Sequence, residues 1–538
     1  MKSCLICFLL LAPSLTAPGQ TRENYRSLLT SQARSPRIPA PQHLQDYVVD
    51  GKLRLSLHDA LVLALENNSG IRVQEASVEA AKFSLLGAFQ PFDPQFQSVF
   101  RRTRSSYPGY SQTQGDPGTI FSEMSQFAQL SYTQMLQTGT KFQIDLNGTK
   151  VSSNSDFYFL SPYYQSSLNL QVTQPLLRKR WRFSNVAPVI IARNNLQQSR
   201  ATFQVQVNAV LLKAINDYWT LVGAHNNLDV ARKSQDAAEA TYQHDKRALE
   251  LGALSPLDIY RPESEVASRR LDVIRDEYSV KQAEETLRFT IGANQDPYFH
   301  ALDIEATEQP EPQGELLTVD IATVLQQALE ARPELRALQQ ALAADDTRIR
   351  LAHNQLLPDL QLQVSYQGSG VGSNFNTGQL PTSGGLSTSL NQIFNFGFPG
   401  YSAGLTLNLP IKNRAAQAEL GTALVTRHSD LYSAQLAREQ ITQQVSNAVY
   451  QLEQAKLSIA AGKTALDLAQ KTLGAEQRKA QLGAAEVFYQ LDAQTKVAAA
   501  EAALLQSEVD YQTAVASLHN VTGSLLQDYN VQISELTK

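Results

Sequence analysis

Residues 203–228, FQVQVNAVLLKAINDYWTLVGAHNNL, lie within the stretch Val189 to Leu251 that decides the fold. No proline interrupts the chain between Pro188 and Pro256. A helix of about 60 residues would be roughly 90 Å long, far longer than the three or four turns usual in globular proteins. Its apolar residues recur at steps of three or four and form a stripe on one helix face. They are Phe203, Val207, Val210, Ala214, Tyr218, Leu221 and Leu228.

Such a stripe has to be covered by other long helices, and the sequence predicts a second one from about Gln417 to Leu482. Each long helix is followed by a short turn and a returning helix, the first of which ends near Ile291. A shorter helix is expected at about 57–89. The stripe of the second long helix consists of Ile441, Val445, Ala448, Leu452, Ala455 and Ile459.

The segments between these helices alternate with a period of two, which indicates strands. Apolar and polar residues alternate at 142–147, 168–173, 360–366 and 403–409, and more weakly at 95–103 and 127–134. This pattern suits either a water-soluble sandwich or a transmembrane barrel. Aromatic residues crowd the strand ends, which favours the barrel. The lipid-facing positions would then include Leu168, Leu170, Val172, Leu405 and Leu407.

The chain contains an internal repeat with four predicted strands in its first copy and two in its second. Ala64-Leu65-Glu66 matches Ala328-Leu329-Glu330 at an offset of 264, and the offset falls to 231 at Gly252 and Gly483. The difference corresponds to about one extra hairpin in the first copy. We predict a signal peptide (1–17), a linker or tail (18–52), repeat one (53–296), a connector (297–317), repeat two (318–528) and a C-terminal tail (529–538).

Composition and the N-terminus limit the possible classes. The net charge of −5 gives no basic footprint for nucleic acid. Lys2 followed by the apolar run 5–12 is typical of a secretory signal peptide. Cys4 and Cys7 lie inside it, so the mature chain would have neither disulfides nor thiolate metal ligands. No later stretch reaches 18 apolar residues, so no membrane helix is predicted.

Few motifs carry chemistry, and we predict no catalytic residue, cofactor site or metal site. The eight histidines have no ligand spacing. The run Gly368 to Gly372 lacks the strand-then-helix context of a phosphate loop, so it is interpreted as a flexible surface loop. It begins a Gly/Ser/Asn-rich loop expected at 368–400. The basic run Arg178 to Arg182 is interpreted as a solvated or headgroup-facing junction between a strand and the long helix.

Three motifs occur in the order expected of a known family: Leu-x-x-Ala-Leu-x-x-Asn at 61–68, Gln-Pro-Leu-Leu-Arg at 174–178 and Leu-Gly-x-x-Ser-x-x-Asp at 251–258. With the repeat, they make residues 53–528 resemble the TolC family of outer-membrane efflux ducts. The resemblance implies a mostly α, mixed fold. A homotrimer would form a transmembrane β-barrel in the outer membrane, continued by a periplasmic α-helical, coiled-coil barrel. The implied partners are a periplasmic adaptor protein, an inner-membrane pump of the RND or ABC type and outer-membrane lipid, with no nucleic acid.

Two features depart from this family pattern. The family contributes four strands per protomer, whereas six are predicted here, so either the barrel has 18 strands or the extra hairpin lies outside it. The family also has an acidic residue about nine positions before the second tip glycine, where this chain has Gly474. Asp467 and Glu476 are nearby, but the acidic gate cannot be assigned to a particular residue.

The two turns that follow the long helices are predicted to dock the adaptor. Both are short and uncharged, and charges at a protein junction would cost desolvation. The alternative is that they are only helix stops, where glycine supplies a left-handed backbone. The turn residues are Gly252, Ala253, Leu254 and Ser255 in repeat one and Gly483, Ala484 and Ala485 in repeat two.

The function predicted from these features is a passive exit duct of a tripartite efflux or type I secretion system. It would carry small molecules or proteins, and the inner-membrane pump would supply the energy. The alternative is a secreted structural or adhesive coiled-coil protein. That alternative needs neither alternating strands between the helices nor a matching pair of glycine turns.

Overall fold

The computed structural model describes residues 43–108, 120–155, 160–251, 255–373, 384–481 and 487–529. The predicted signal peptide, most of the predicted tail at 18–52 and residues 530–538 lie outside these ranges. The described chain forms long helices, one large sheet and one small sheet. None of the helices in these ranges is both long and apolar enough to cross a membrane.

The chain before the large sheet forms two short strands and two helices: β1 (Val48–Val49), β2 (Lys52–Leu55), α1 (Leu57–Asn67) and α2 (Ser69–Gly87). The single helix expected at 57–89 is wrong, because the chain breaks at Asn68. This residue has extended backbone, and its Oδ1 accepts hydrogen bonds from the N–H groups of Gly70 (2.9 Å) and Ile71 (3.4 Å). Asn68 is therefore the N-cap of α2.

The large sheet contains β3 (Gln95–Pro108), β4 (Ile120–Met135), β5 (Lys141–Ser153), β6 (Tyr163–Pro175), β8 (Asp359–Ser373) and β9 (Phe398–Asn408). Every neighbouring pair is antiparallel, in the spatial order β3-β4-β5-β6-β8-β9. The prediction of four strands from repeat one and two from repeat two is confirmed. The extra hairpin is hydrogen-bonded into the same sheet as the other strands.

The long helices that follow β6 and β9 are α3 (Arg182–Glu250) and α9 (Arg414–Gln481), and their returning partners are α4 (Tyr260–Ile291) and α10 (Val487–Thr522). They contain 69 and 68 residues, about 100 Å each at 1.5 Å per residue. The expected start of the first one after Pro188 is wrong, since Pro188 lies inside the helix. Gly292, at φ 73°, ends α4 in the left-handed conformation that glycine adopts easily.

The remaining elements of the second half are α5 (Pro297–His300), β7 (Asp303–Ala306), α6 (Ile321–Ala331), α7 (Pro333–Gln355), α8 (Leu386–Phe394) and α11 (Leu525–Asp528). Strand β7 lies in the predicted connector and pairs in parallel with β2. The segment between the repeats is therefore tied to the beginning of the described chain.

The predicted apolar stripes of both long helices are confirmed, because all thirteen of their residues are buried. The stripe of α3 packs with α1, α4 and β2, and the stripe of α9 packs with α6 and α10. The hydroxyl of Tyr218 donates to the carbonyl of Leu55 and accepts from the N–H of Glu308, both at 3.3 Å. Burial raises the pKa of Tyr218 to about 12, so this neutral hydroxyl joins α3 to the small sheet.

Candidate functional site: a two-faced sheet and the ends of the helix pairs

The large sheet has one mainly apolar and one mainly polar face, because its register places residues of similar polarity in the same rows across the strands. Neighbouring side chains along a strand point to opposite faces, so each row across the sheet belongs to one face. One apolar row consists of Phe96, Tyr132, Ile144, Leu170, Tyr366 and Tyr401. The adjacent polar row consists of Gln97, Ser131, Asp145, Asn169, Gln367 and Gly400.

The five residues predicted to face lipid share the apolar face. Leu168, Leu170 and Val172 lie on β6, and Leu405 and Leu407 lie on β9. Leu405 and Leu407 are 66% and 59% exposed in the protomer. Contact of this face with lipid stays a prediction, for which the sheet supplies a continuous apolar surface.

The opposite face is built from hydrogen-bonded polar side chains. Asp145 is buried there and accepts hydrogen bonds from Ser131 Oγ (2.5 Å) and Gln143 Nε2 (2.9 Å). Asn147 Nδ2 donates to Ser167 Oγ at 3.3 Å on the neighbouring strands. These hydrogen bonds hold polar side chains against one another, so the face presents a hydrophilic surface.

The basic run after β6 forms the joint between the sheet and the long helix. Arg178 makes an ion pair with Asp359, the first residue of β8, with 2.7 Å between Nη2 and Oδ2. The backbone N–H of Lys179 donates to Asn354 Oδ1 at 2.9 Å, and Arg182 Nε donates to Gln137 Oε1 at 2.9 Å. Three members of the run thus fix the direction in which α3 leaves the sheet.

The surface loop expected at 368–400 is wrong at both ends, because β8 continues to Ser373 and β9 begins at Phe398. Between them, α8 packs on the apolar face at the end remote from the long helices. Val371 N–H donates to Gln392 Oε1 at 2.8 Å. A Cβ at Gly370 would lie 1.9 Å from the carbonyl oxygen of Ser389, so glycine is required for this close approach. Sequence reasoning missed this role of Gly370, because its partner Ser389 lies in α8 and not in the strand itself.

The turns predicted to dock an adaptor fall almost wholly outside the described residues. Gly252, Ala253 and Leu254 lie there, as do Gly483, Ala484 and Ala485. Ser255 is described and exposed. Its carbonyl accepts the N–H of Asp258 at 3.0 Å, and its Oγ accepts the N–H of Leu257 at 3.4 Å.

The described residues that flank the first turn leave apolar side chains uncovered. Leu251 is 85% exposed, Leu257 is 76% exposed and Tyr260 is 65% exposed. These three side chains lie within ten residues of sequence at the end of the first helix pair, which concentrates exposed apolar area there. A protein surface of this kind can bury area against a partner.

The acidic residues near the second turn are paired within α9. Asp467 forms an ion pair with Lys471, and Glu476 forms one with Lys479, each at 2.6 Å. Helix α9 runs through Gly474 without a break, and a Cβ added there would meet nothing within 4 Å. Neither carboxylate therefore stands as an isolated negative charge in the protomer.

A cavity of about 370 Å³ lies between α3, α7, α9 and α10. Its one arginine, Arg332, donates to Gln444 Oε1 at 2.5 Å and pairs with Glu334 at 2.6 Å. These internal partners make the arginine a structural link between helices. In the described ranges, no group of three or more His, Cys, Asp or Glu residues is arranged to hold a metal.

Comparison with known proteins identifies relatives among outer membrane efflux proteins. The model of the family described as "Outer membrane efflux protein" matches residues 140–293 and 324–524, well over half of the chain. BepC, an outer membrane efflux protein of Brucella suis biovar 1 (strain 1330), is 26% identical over 205 residues. That match spans 37% of this chain and 40% of BepC.

Solved outer-membrane channels share the fold over nearly the whole chain. The Campylobacter jejuni CmeC channel aligns with a TM-score of 0.64 and 13% identity, covering 92% of this chain and 93% of CmeC. The open state of the Neisseria gonorrhoeae MtrE channel aligns with a TM-score of 0.60 and 18% identity, covering 87% and 89%.

The two-faced antiparallel sheet that continues into two very long helices, each with a returning partner, is the fold shared with these outer-membrane channels. The chain belongs to the outer membrane efflux protein family. The predicted family resemblance, mixed fold class and outer-membrane location with a large periplasmic part are thereby confirmed.

Proposed function

We propose that the protein is a passive exit duct of a tripartite efflux or type I secretion system in the outer membrane. The observation that carries this proposal is the sheet with one apolar and one polar face, joined to two helices about 100 Å long. The apolar face suits lipid and the polar face suits a water-filled lumen. No catalytic step is assigned, and an inner-membrane pump of the RND or ABC type would supply the energy.

The unpaired edges of the large sheet support assembly as a homotrimer. The edges β3 and β9 have no strand partner on their outer sides in the described sheet. Strand β3 leads away from the helices and β9 returns to them, so β3 of one copy and β9 of the next would pair antiparallel. Six strands are too few for an aqueous pore. Three copies would give a closed barrel of about 18 strands, which removes the exposed edges.

The tip turns are proposed to dock the periplasmic adaptor. The exposed Leu251, Leu257 and Tyr260 support this assignment, because they place apolar area at the end of the first helix pair. The substrate would pass through the polar lumen, which recognises its cargo weakly. The cargo class, small molecule or protein, would therefore be set by the pump.

The test is export by cells that carry single substitutions in the two turns. Leu254→Glu and Ala484→Glu should abolish dye or antibiotic export and adaptor crosslinking, while trimer formation and outer-membrane location are retained. Glu at Ser387, an exposed residue of α8 far from the turns, serves as the matched control and should export normally. Normal export by both turn variants would contradict docking through these turns.

A further inference from the structure

The charged residues of the apolar face lie at one level and have one sign. Arg102, Arg104 and Lys150 are on this face, because each is an even number of residues from Phe96 or Ile144 on its strand. The row that contains Arg102 continues through Gln126, Lys150 and Tyr164 to Gly372. All three cations lie towards the strand ends that are remote from the long helices.

Among the described residues, these three cations make contacts with uncharged groups. Arg104 Nε donates to Ser122 Oγ at 3.2 Å, and Arg102 Nη2 lies 3.0 Å from Met124 Sδ. Lys150 Nζ sits 5.4 Å from the ring centroid of Tyr164. These partners are uncharged, and both arginines are exposed. None of these three contacts neutralises a positive charge.

The height of this level matches the edge of a membrane. Phe142 is the first residue of the apolar face on β5, and Lys150 lies eight residues further on, about 27 Å along the strand at about 3.4 Å per residue. A strand tilted by about 40° would make this roughly 21 Å in height, comparable to the apolar band of about 25 Å in outer-membrane barrels. The cations therefore lie where lipid headgroups begin.

Helix α8 lies at the same level of the same face. Ser389 contacts Ser166 through their hydroxyl groups, and Ile393 is buried against the sheet near Gly368. Leu386 and Phe394 are each 46% exposed. A short uncharged helix that lies flat on the wall and shows apolar side chains outward suits the boundary between headgroups and acyl chains.

We propose that Arg102, Arg104 and Lys150 form a binding site for the phosphate groups of an outer-leaflet glycolipid such as lipid A. Arginine pairs with phosphate through two parallel N–H groups, and lysine acts as a point charge. The apolar face below holds the acyl chains, and α8 flanks the headgroup. This inference rests on the proposed orientation of the sheet, with the long helices in the periplasm.

The test compares lipid binding by the purified full-length protein and two variants. The first variant combines Arg102→Gln, Arg104→Gln and Lys150→Gln. The second, Arg101→Gln, removes a cation from the same strand on the polar face and is the matched control. Binding is measured from the rise in Tm on titration with bisphosphorylated lipid A, with dephosphorylated lipid A and with inorganic phosphate.

Wild type and Arg101→Gln should bind bisphosphorylated lipid A with equal affinity, and the triple variant should bind it at least about tenfold more weakly, a loss of about 1.4 kcal/mol. Dephosphorylated lipid A should bind all three proteins weakly. Equal affinity of the triple variant for bisphosphorylated lipid A would overturn the proposal. An equal Tm rise with inorganic phosphate would also overturn it, since the site would then not be a lipid site. The triple variant should still export dye, so failure of this site is distinguishable from failure of the duct.

Discussion

The two long helices α3 and α9 are almost equal in length, yet they are buried differently. Helix α3 has buried residues along most of its course, from Ser184 to Asp245. Helix α9 is buried mainly from Ile441 to Ile459, whereas almost all of 414–440 is exposed or half-exposed. The same repeat unit thus produces one helix inside the protomer and one at its boundary.

The strand that precedes each helix explains this difference. Helix α3 follows β6, which has a hydrogen-bonded neighbour on both sides, whereas α9 follows the edge strand β9. Leu424, Val425 and Tyr432 of α9 are exposed, and β9 has no strand partner on its outer side in the described sheet. In the proposed trimer, the uncovered helix and the uncovered strand would both be available to the next protomer.

The largest expected effect is a difference in stability between two matched leucine-to-alanine substitutions, one in α3 and one in α9. Leu211→Ala in α3 should lower the free energy of unfolding by about 2–5 kcal/mol, because Leu211 is fully buried in the core. Leu424→Ala in α9 should change the stability of the protomer by less than about 0.5 kcal/mol. Urea denaturation of the two variants measures this difference. If both variants lost the same free energy of unfolding in dissociated protomers, the difference in burial between α3 and α9 would be contradicted.

The next largest effect is the loss of stability caused by a lysine on the apolar face, and it should be equal in the interior strand β6 and the edge strand β9. Leu168→Lys in β6 and Leu405→Lys in β9 should each cost up to about 2–4 kcal/mol, most near mid-membrane, because both would face lipid in the proposed barrel. Lysine at Asn169 or Thr406, on the polar face, should cost much less. Folding yield and stability in lipid vesicles give the comparison. Similar costs on both faces would contradict a lipid-facing surface.

A smaller effect concerns the contact between α9 and α7. Burial and the neighbouring Asp345 carboxylate raise the pKa of Asp430, with Arg348 opposing them. A raised pKa in the folded state means that the stabilising contribution is present below the unfolded pKa of about 3.8 and is lost as the pH rises through the folded value. Asp430→Asn should therefore flatten the fall in stability above this pH. An unchanged pH profile in thermal melts would contradict this coupling.

The elements that local periodicity specifies were predictable from the sequence. Both apolar stripes and the count of six strands depend only on spacing along the chain. The break at Asn68 was missed because a single capping side chain interrupts an otherwise continuous helical pattern. The extension of β8 through Gly370 was missed because the glycines are explained by α8, which is distant from them in sequence. The uncovered surface of α9 depends on strand order, which periodicity does not specify.

Part of the site also could not be predicted. The apolar face was predictable, because Leu168 and Leu405 belong to strands in which apolar and polar residues alternate. The strand register places both residues on the same face. The shared level of Arg102 and Lys150 depends on the pairing of β3, β4 and β5, which a single sequence does not provide. The tip turns, including Gly252 and Gly483, stay predictions.

The central claim is that three copies close one barrel through β3 and β9, and a disulfide between these edges tests it most directly. Cys4 and Cys7 are the only cysteines of the chain and lie in the predicted signal peptide. Gln97→Cys would be combined with Ser402→Cys, Gly404→Cys or Thr406→Cys, all on the polar face. Phe100→Cys with the same partners places the cysteines on opposite faces and is the control.

Oxidation of intact outer membranes followed by non-reducing gel electrophoresis gives the answer. We expect at least one of the Gln97 combinations to give disulfide-linked dimers and trimers, and the Phe100 combinations to stay monomeric. Monomers alone for every Gln97 combination, in membranes where the protein exports normally, would contradict closure of the barrel through these two strands.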